Sequence, residues 1–234
     1  MLKASLPTAH ELRIRPGTTE RLMVALSFDD GYLEHYKAAQ LLYKRHIRAT
    51  FFLITGLSHW NNKPLLTLYP KLIQRMRKMD HEIASHTQTH PNLQCLSVDQ
   101  VRHELHTSKD YLQNLLNEQV EGFAYPYGKY DEHISRIVSS YYGYARTARE
   151  VEKLTRYELP IRSPGSSLRM CSLQLTKSMI RGKGFAIVLI HSTNDLSLNV
   201  WVEYMKMFRV HFVTLSELVA ALHAPARDTV ARSA

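Results

Sequence analysis

Short apolar runs alternate along this chain with segments whose apolar positions fall three and four residues apart, the signatures of buried strands and amphipathic helices. Met23–Phe28 (MVALSF) and Ala49–Thr55 (ATFFLIT) read as strands; between them, Leu33–His46 sets Tyr36, Ala39, Leu42 and Tyr43 at helical spacing. Leu66–Met79 repeats that spacing through Leu68, Leu72, Ile73 and Met76, and Glu82–Ser85 is a brief third strand. Ser97 with Gln100 forms a capping box that opens a helix to about Asn117, with Val101, Leu105, Leu112, Leu115 and Leu116 turned inward. Gly122–Tyr125 is a fourth strand, Asp131–Tyr141 a helix, Gly143–Arg146 a fifth strand, and Tyr157–Ile161 the candidate for a sixth. Leu173–Arg181 reads as a helix and Phe185–Ile190 (FAIVLI) as the clearest buried strand. His211–Val213 is the last strand, followed by a helix capped by Thr214 and Glu217. Alternation of this kind predicts an α/β fold with parallel strands and crossover helices.

Composition changes this picture little. At 234 residues the chain is long enough for one α/β barrel with a full core. Its two cysteines, Cys95 and Cys171, form neither a zinc-cluster spacing nor a disulfide framework, which is compatible with a reducing compartment. The amino terminus has no apolar run of signal-peptide length, because Pro7, His10, Glu11 and Arg13 interrupt it. No stretch approaches the roughly 20 apolar residues of a membrane span. The expectation is a cytoplasmic protein with no transmembrane segment. The formal charge of +9 comes from scattered residues rather than a dense block, so a solvated basic surface is expected and nucleic acid is not.

Four segments carry candidate chemistry, each at the carboxyl end of an expected strand, where α/β barrels place their sites. In Ser27–Phe28–Asp29–Asp30–Gly31, adjacent carboxylates cannot both face the same way, so one can bind a cation while the other stays free as a base. Gly31 would permit the tight turn, although Asp-Asp-Gly is also a common turn in its own right. His86 and His90, in HTQTH ahead of Pro91, share a face if the segment coils as a helical turn, and both rings then reach one cation. In a chain with 13 histidines such a pair also arises by chance. Ala124–Tyr125–Pro126–Tyr127–Gly128 is a Pro-Gly turn that could aim a backbone N–H at a developing oxyanion. His191 ends the run Leu189–Ile190–His191, open to reading as an acid or base at the barrel mouth or as a structural histidine.

Jointly and in this order, SFDDG, HTQTH, AYPYG and LIH resemble the motifs of the polysaccharide deacetylases, carbohydrate esterase family 4, over about Leu22 to Leu222. The resemblance implies a distorted (β/α) barrel of about seven parallel strands, with residues 1–20 as an extension, 21–223 as the catalytic domain and 224–234 as a fraying tail. It implies Asp30, His86 and His90 as ligands of one divalent cation, Asp29 as general base, His191 as general acid, and the Tyr127 N–H as an oxyanion donor. Two imidazoles and one carboxylate suit zinc best, with cobalt, nickel, manganese and iron as alternatives.

The chain departs from that family at two points. Ala124 stands where the family's third motif carries an arginine that orients the catalytic aspartate, and no aspartate–tryptophan motif is recognisable. Arg146, in YARTA, and Arg162, in LPIRSPG, are the candidates for a replacement cation, and Arg146 is favoured because it ends the next strand. Arg146 also joins Tyr125 and Trp60 in the expected substrate-binding set, and Tyr32 and His59 are further aromatic candidates. The expected function is metal-dependent removal of an N-acyl group, such as acetyl, from an amino sugar or its oligomer. Two rivals are a hydrolase of a non-sugar amide or formyl group on the same fold, and a catalytically idle sugar-binding barrel.

Overall fold

The computed structural model describes residues 22–148, 158–159, 184–192, 194–208 and 210–224. Its organising element is β1 (Met23–Phe28), which pairs in parallel with three other strands. Along one edge runs β9 (Phe185–Ile190), in register from Met23↔Phe185 to Phe28↔Ile190. The opposite edge is shared: β10 (His211–Val213) pairs with the lower half of β1 and β2 (Thr50–Leu53) with the upper half. From β2 the sheet continues through β5 (Glu82–Ser85), β6 (Gly122–Ala124), β7 (Tyr144–Arg146) and β8 (Glu158–Leu159), every pair parallel. The result is a curled, eight-stranded parallel sheet of (β/α)-barrel type. A separate two-stranded hairpin, β3 (His59–Trp60) and β4 (Lys63–Pro64), stands beside it.

Both faces of the sheet are covered, which is why its strands read as unbroken apolar runs rather than alternating ones. Val24, Leu26 and Phe28 point outward and pack under α1 (His35–Tyr43), α2 (Pro70–Lys78) and α3 (Val98–Leu116) through Leu42, Ile73, Val101, Leu105 and Leu112. The alternate residues Ala25, Phe52, Ala84, Ala124, Tyr144 and Ile187 form an inner cluster, closed by Leu215, Leu218 and Leu222 from the last helix, Leu215–His223. The capping boxes Ser97–Gln100 and Thr214–Glu217 both form. A short helix, α4 (Glu132–Val138), connects β6 to β7.

Two elements were not foreseen. One is the β3–β4 hairpin; the other is the helix α5 (Asp195–Lys206), started by the Asn194 side chain accepting the Ser197 N–H. Its inward residues Leu198, Trp201, Val202 and Met205 alternate with the exposed Leu196, Val200, Tyr204 and Met207. Because those exposed apolar residues are mixed with Asp195, Ser197, Glu203 and Lys206, the amphipathic contrast is blurred. The helix expected over Leu173–Arg181, residue Arg162 and most of the expected terminal segments lie outside the described residues. No described helix is long and apolar enough to cross a membrane.

Between α1 and β2 the chain turns on His81. Its Nδ1 accepts the Ala49 N–H at 3.2 Å, and its Nε2–H donates to Ala39 O at 2.9 Å, so the folded state uses the neutral ring. Burial lowers the His81 pKa accordingly. A depressed histidine contributes stability that is complete above its ordinary value of about 6.5 and is lost as the pH falls below it, because the unfolded chain then takes the proton first. His81→Gln, which keeps a donor and an acceptor that do not titrate, should therefore lose less Tm than the parent between about pH 7.5 and 5. Superimposable Tm–pH curves would remove His81 as a source of acid sensitivity.

Candidate functional site

Because successive strand residues alternate faces, the inward parity of Ala25 and Ser27 reaches Asp29 one step past the end of β1. The same count from Ala84 reaches His86, from Tyr144 reaches Arg146, and from Phe185 and Ile187 reaches Leu189 and His191. All these strands are parallel, so the residues collect at one rim. The turn after β1 then reverses sharply: Asp30 and Gly31 have φ of 73° and 76°, and a Cβ on Gly31 would stand 2.8 Å from the Leu53 side chain. Asp29 and Asp30 consequently face different partners.

Asp30 Oδ1 lies 3.6 Å from both His86 Nε2 and His90 Nε2, and the two ring nitrogens are 3.2 Å apart. His86 Nδ1–H donates to Ala124 O at 2.8 Å, which leaves Nε2 as a lone pair aimed at the group. Burial lowers the pKa of both histidines; for His90, burial and then the neighbouring His86 bring it to about 3. Two rings that burial keeps neutral thus converge with a carboxylate oxygen. Their separations match the edges of a tetrahedron with bonds of about 2.1 Å, edges of roughly 3.4 Å, so the trio fits one divalent cation. Among the described residues it is the only such group of histidine, cysteine and carboxylate side chains.

The segment His86–His90 is not the helical turn expected from the spacing of its histidines; it is a bent loop in which Thr87 and His90 have φ of 71° and 59°. A β-branched residue in that region is strained and persists only where its surroundings hold it. Glu104, buried on α3, does the holding: Oε2 accepts the N–H groups of both Gln88 and Thr89 at 2.8 Å, and Oε1 accepts the Thr89 hydroxyl. Those N–H groups are thereby diverted from helical bonding. Thr87 Oγ1 accepts the His90 N–H at 2.9 Å and completes the loop. Glu104 was missed in the sequence, yet its signal was there: a carboxylate on the inward stripe of Val101, Leu105, Ser108 and Leu112.

Asp29 turns the other way. Its Oδ2 accepts from Arg146 Nη2, and both side chains are almost wholly buried. Burial alone would raise the Asp29 pKa, but the Arg146 guanidinium, then His86 and His191, hold the carboxyl below its usual range. Asp29 Oδ1 is buried and has no partner among the described residues. Arg146 is the in-register neighbour of Ala124 on the adjacent strand, and its guanidinium stacks 5.1 Å from the Phe52 ring. It does not line the opening.

A cavity of about 370 Å³ opens above this floor, bordered by Asp29, Asp30, Trp60, Tyr125, Tyr127 and His191. Such a volume is at the small end of ligand sites. Trp60 and Tyr127 flank His90, with ring centroids 4.7 and 4.6 Å away. Tyr127 is a second strained residue, with φ of 58°, and its ring is exposed. Tyr125 is buried and stacks on Tyr130 at 4.6 Å. His191 is exposed at the rim. Tyr32 packs with Ile54 and Leu65 below the hairpin, and His59 pairs with Ser58, so neither borders the cavity among the described residues. Asn61, from the hairpin, does border it.

The molecule is therefore a (β/α) barrel with a His–His–Asp trio spaced as metal ligands are and a buried, ionised carboxylate at the carboxyl ends of its strands. The chain belongs to the polysaccharide deacetylase family: a family profile of that description matches residues 16–146, more than half of the chain. An uncharacterized 30.6 kDa protein of Geobacillus stearothermophilus is 32% identical over 133 residues, 55% of this chain and 46% of that protein. The peptidoglycan-N-acetylglucosamine deacetylase of Bacillus cereus is 28% identical over 115 residues, 48% of this chain and 39% of that protein. The chain spans less than half the length of these relatives. Among solved structures, the Xyl-CE4 domain of a multidomain xylanase from the hindgut metagenome of Trinervitermes trinervoides has a TM-score of 0.63 at 23% identity, covering 87% of this chain and 91% of that one. A CE4 family pseudoenzyme from Bacillus anthracis has a TM-score of 0.64 at 19% identity, covering 88% and 66%. The structural likenesses establish the fold.

Two outcomes follow from this geometry. Glu104→Ala, which releases both loop N–H groups, should weaken zinc binding by roughly 10–100-fold in a chelator competition, as losses of outer-shell partners do; unchanged affinity would mean the loop holds itself. Arg146→Met leaves a buried carboxylate unpaired and should reduce unfolding stability in urea by about 3–5 kcal/mol. Restoring the cation from the adjacent strand, as Ala124→Arg in the Arg146→Met background, should recover much of that loss. No recovery would show that the two positions are not equivalent platforms for it.

Proposed function

We propose that this protein hydrolyses the N-acetyl group of an amino sugar, within a saccharide chain, with one divalent cation held by Asp30, His86 and His90. The observation that carries the reading is the convergence of Asp30 Oδ1, His86 Nε2 and His90 Nε2 beside a buried, ionised Asp29. When bound, a divalent cation there supplies polarisation of the amide carbonyl and acidification of the attacking water. Zinc suits the donor set best.

The side chains divide the remaining work. Asp29 Oδ1, which has no partner among the described residues, takes the proton from water as its oxygen attacks the carbonyl carbon. Arg146 keeps Asp29 ionised and fixes Oδ2, so that Oδ1 is the basic atom. The Tyr127 N–H, in its strained turn, supports the negative charge that develops on the carbonyl oxygen. His191 gives a proton to the departing amine as the carbon–nitrogen bond breaks, yielding carboxylate and free amino sugar. Trp60 and the exposed Tyr127 offer aromatic surface to the sugar ring, whereas Tyr125, expected in that role, is buried against Tyr130. The deacetylase of Bacillus cereus that resembles this chain, named for peptidoglycan N-acetylglucosamine, supports an amino-sugar substrate.

An idle barrel is the reading to set against this one, because a pseudoenzyme has the same fold. The test is acetate release from N-acetylglucosamine oligomers by metal-stripped protein and after adding zinc or cobalt. Release should need the metal. His86→Ala should lose metal and turnover together, whereas Asp29→Asn should keep the metal and lower kcat by roughly 10²–10⁴-fold. Full activity in Asp29→Asn removes the base assignment. Tight metal binding without release from any sugar moves the substrate to another amide or leaves the barrel idle.

A further inference from the structure

The β1–β9 ladder ends where the Asp29 N–H donates to Ile190 O at 3.1 Å. The next carbonyl, that of His191, is gripped by a side chain instead. His35 Nε2–H donates to His191 O at 2.9 Å. A carbonyl only accepts, so Nε2 carries the proton and the ring is held as one tautomer. His35 is the first residue of α1 and 1% exposed, with Phe28 and Tyr32 edge-on at 5.4 and 5.6 Å and Phe51 tilted at 6.2 Å. Packing therefore fixes where its nitrogen points. Glu34, the residue before it, accepts the Ser192 hydroxyl at 2.8 Å, and Lys63 of the hairpin reaches Glu34 Oε1 and Ser192 Oγ at 3.3 Å each. Two consecutive residues at the start of α1 thus hold two consecutive residues after β9.

We infer that His35 is a positioning residue for His191, gripping its main chain so that the imidazole stands at the cavity rim; this rests on the reading of His191 as proton donor. Packing alone does not account for a histidine here. His35 Nδ1 is buried with no partner among the described residues, a desolvation penalty that an apolar ring of the same shape would avoid. The one hydrogen bond that offsets it runs to His191. The clamp also joins the two ends of the proposed chemistry, since α1 follows directly from the Asp29–Asp30 turn.

The decisive comparison is His35→Gln, whose amide reaches the position of Nε2, against His35→Asn, whose amide is too short; His35→Phe removes the donor and keeps the ring. Two readouts apply to the zinc-loaded protein: hydrogen–deuterium exchange of the peptide covering 189–194, and deacetylation kinetics. Asn and Phe should speed exchange in that peptide while leaving the His86–His90 peptide and the zinc content unchanged. They should lower kcat on the order of 10²-fold with KM within about twofold, the scale expected for a displaced catalytic group. Gln should recover most of both effects. In a His191→Ala background, the His35 substitutions should cost no further activity. An equal loss in that background, or unchanged exchange over 189–194, overturns the inference. If the parent protein releases no acetate, the functional reading fails, while the exchange comparison still decides whether His35 grips the strand end.

Discussion

Asp29 and Asp30 are adjacent in sequence and 3% and 4% exposed, so two negative charges must be offset inside the barrel mouth. Isolated buried carboxylates are not tolerated; they are paired, protonated or bound to a cation. Asp29 is paired with Arg146 and stays ionised. Asp30 faces two imidazoles that burial keeps neutral at ordinary pH, so they bring electron pairs rather than positive charge. A cation shared by all three donors would supply the balance at Asp30. Opposite solutions for neighbouring residues are possible because the backbone reverses at Asp30 and Gly31.

A part-buried carboxylate at the other end of the same barrel makes a contrast with Asp29. Glu82 accepts from the Thr50 hydroxyl, the Tyr144 hydroxyl and the Ser216 N–H, all neutral donors. Burial raises its pKa despite those bonds. It ties the start of the last helix to the sheet. Asp29 is more deeply enclosed and yet shifts the other way, with the Arg146 guanidinium the largest of the lowering causes. The parallel register makes that guanidinium transferable: Ala124 and Arg146 are directly paired, inward-facing positions, so a cation mounted on either strand enters the barrel at the same level.

Much of this was legible because strand parity is rigid. Once the apolar runs fixed the strands, the alternation carried Asp29, His86, Arg146 and His191 to one rim, and both capping boxes marked true helix starts. The family resemblance supplied what spacing could not, the grouping of Asp30 with His86 and His90. Spacing misled at HTQTH, where an i, i+4 pair suggested a helical turn. There Glu104, sixteen and fifteen residues from Gln88 and Thr89, takes the N–H groups a helix would use, and no local pattern could reveal that bond. The helix Asp195–Lys206 escaped because its exposed face mixes Leu196, Val200 and Tyr204 with polar residues and blurs the helical pattern. His35 was hidden among apolar neighbours, and only the tertiary fold brings it to a carbonyl 156 residues away.

The two ends of the proposed proton path are held differently, and the difference follows from what each must do. Asp29 takes up a proton near a cation, so its orientation and charge have to be fixed by a strong, buried partner acting on the side chain itself. A group proposed to hand a proton to a departing amine needs one ring nitrogen open to the substrate, and restraint applied to the main chain leaves that nitrogen unoccupied. His191 is exposed at the rim, while its carbonyl and the following serine are anchored by His35 and Glu34. In the proposed chemistry the base is thus held through its side chain and the acid through its backbone, two restraints that act on different parts of the residue.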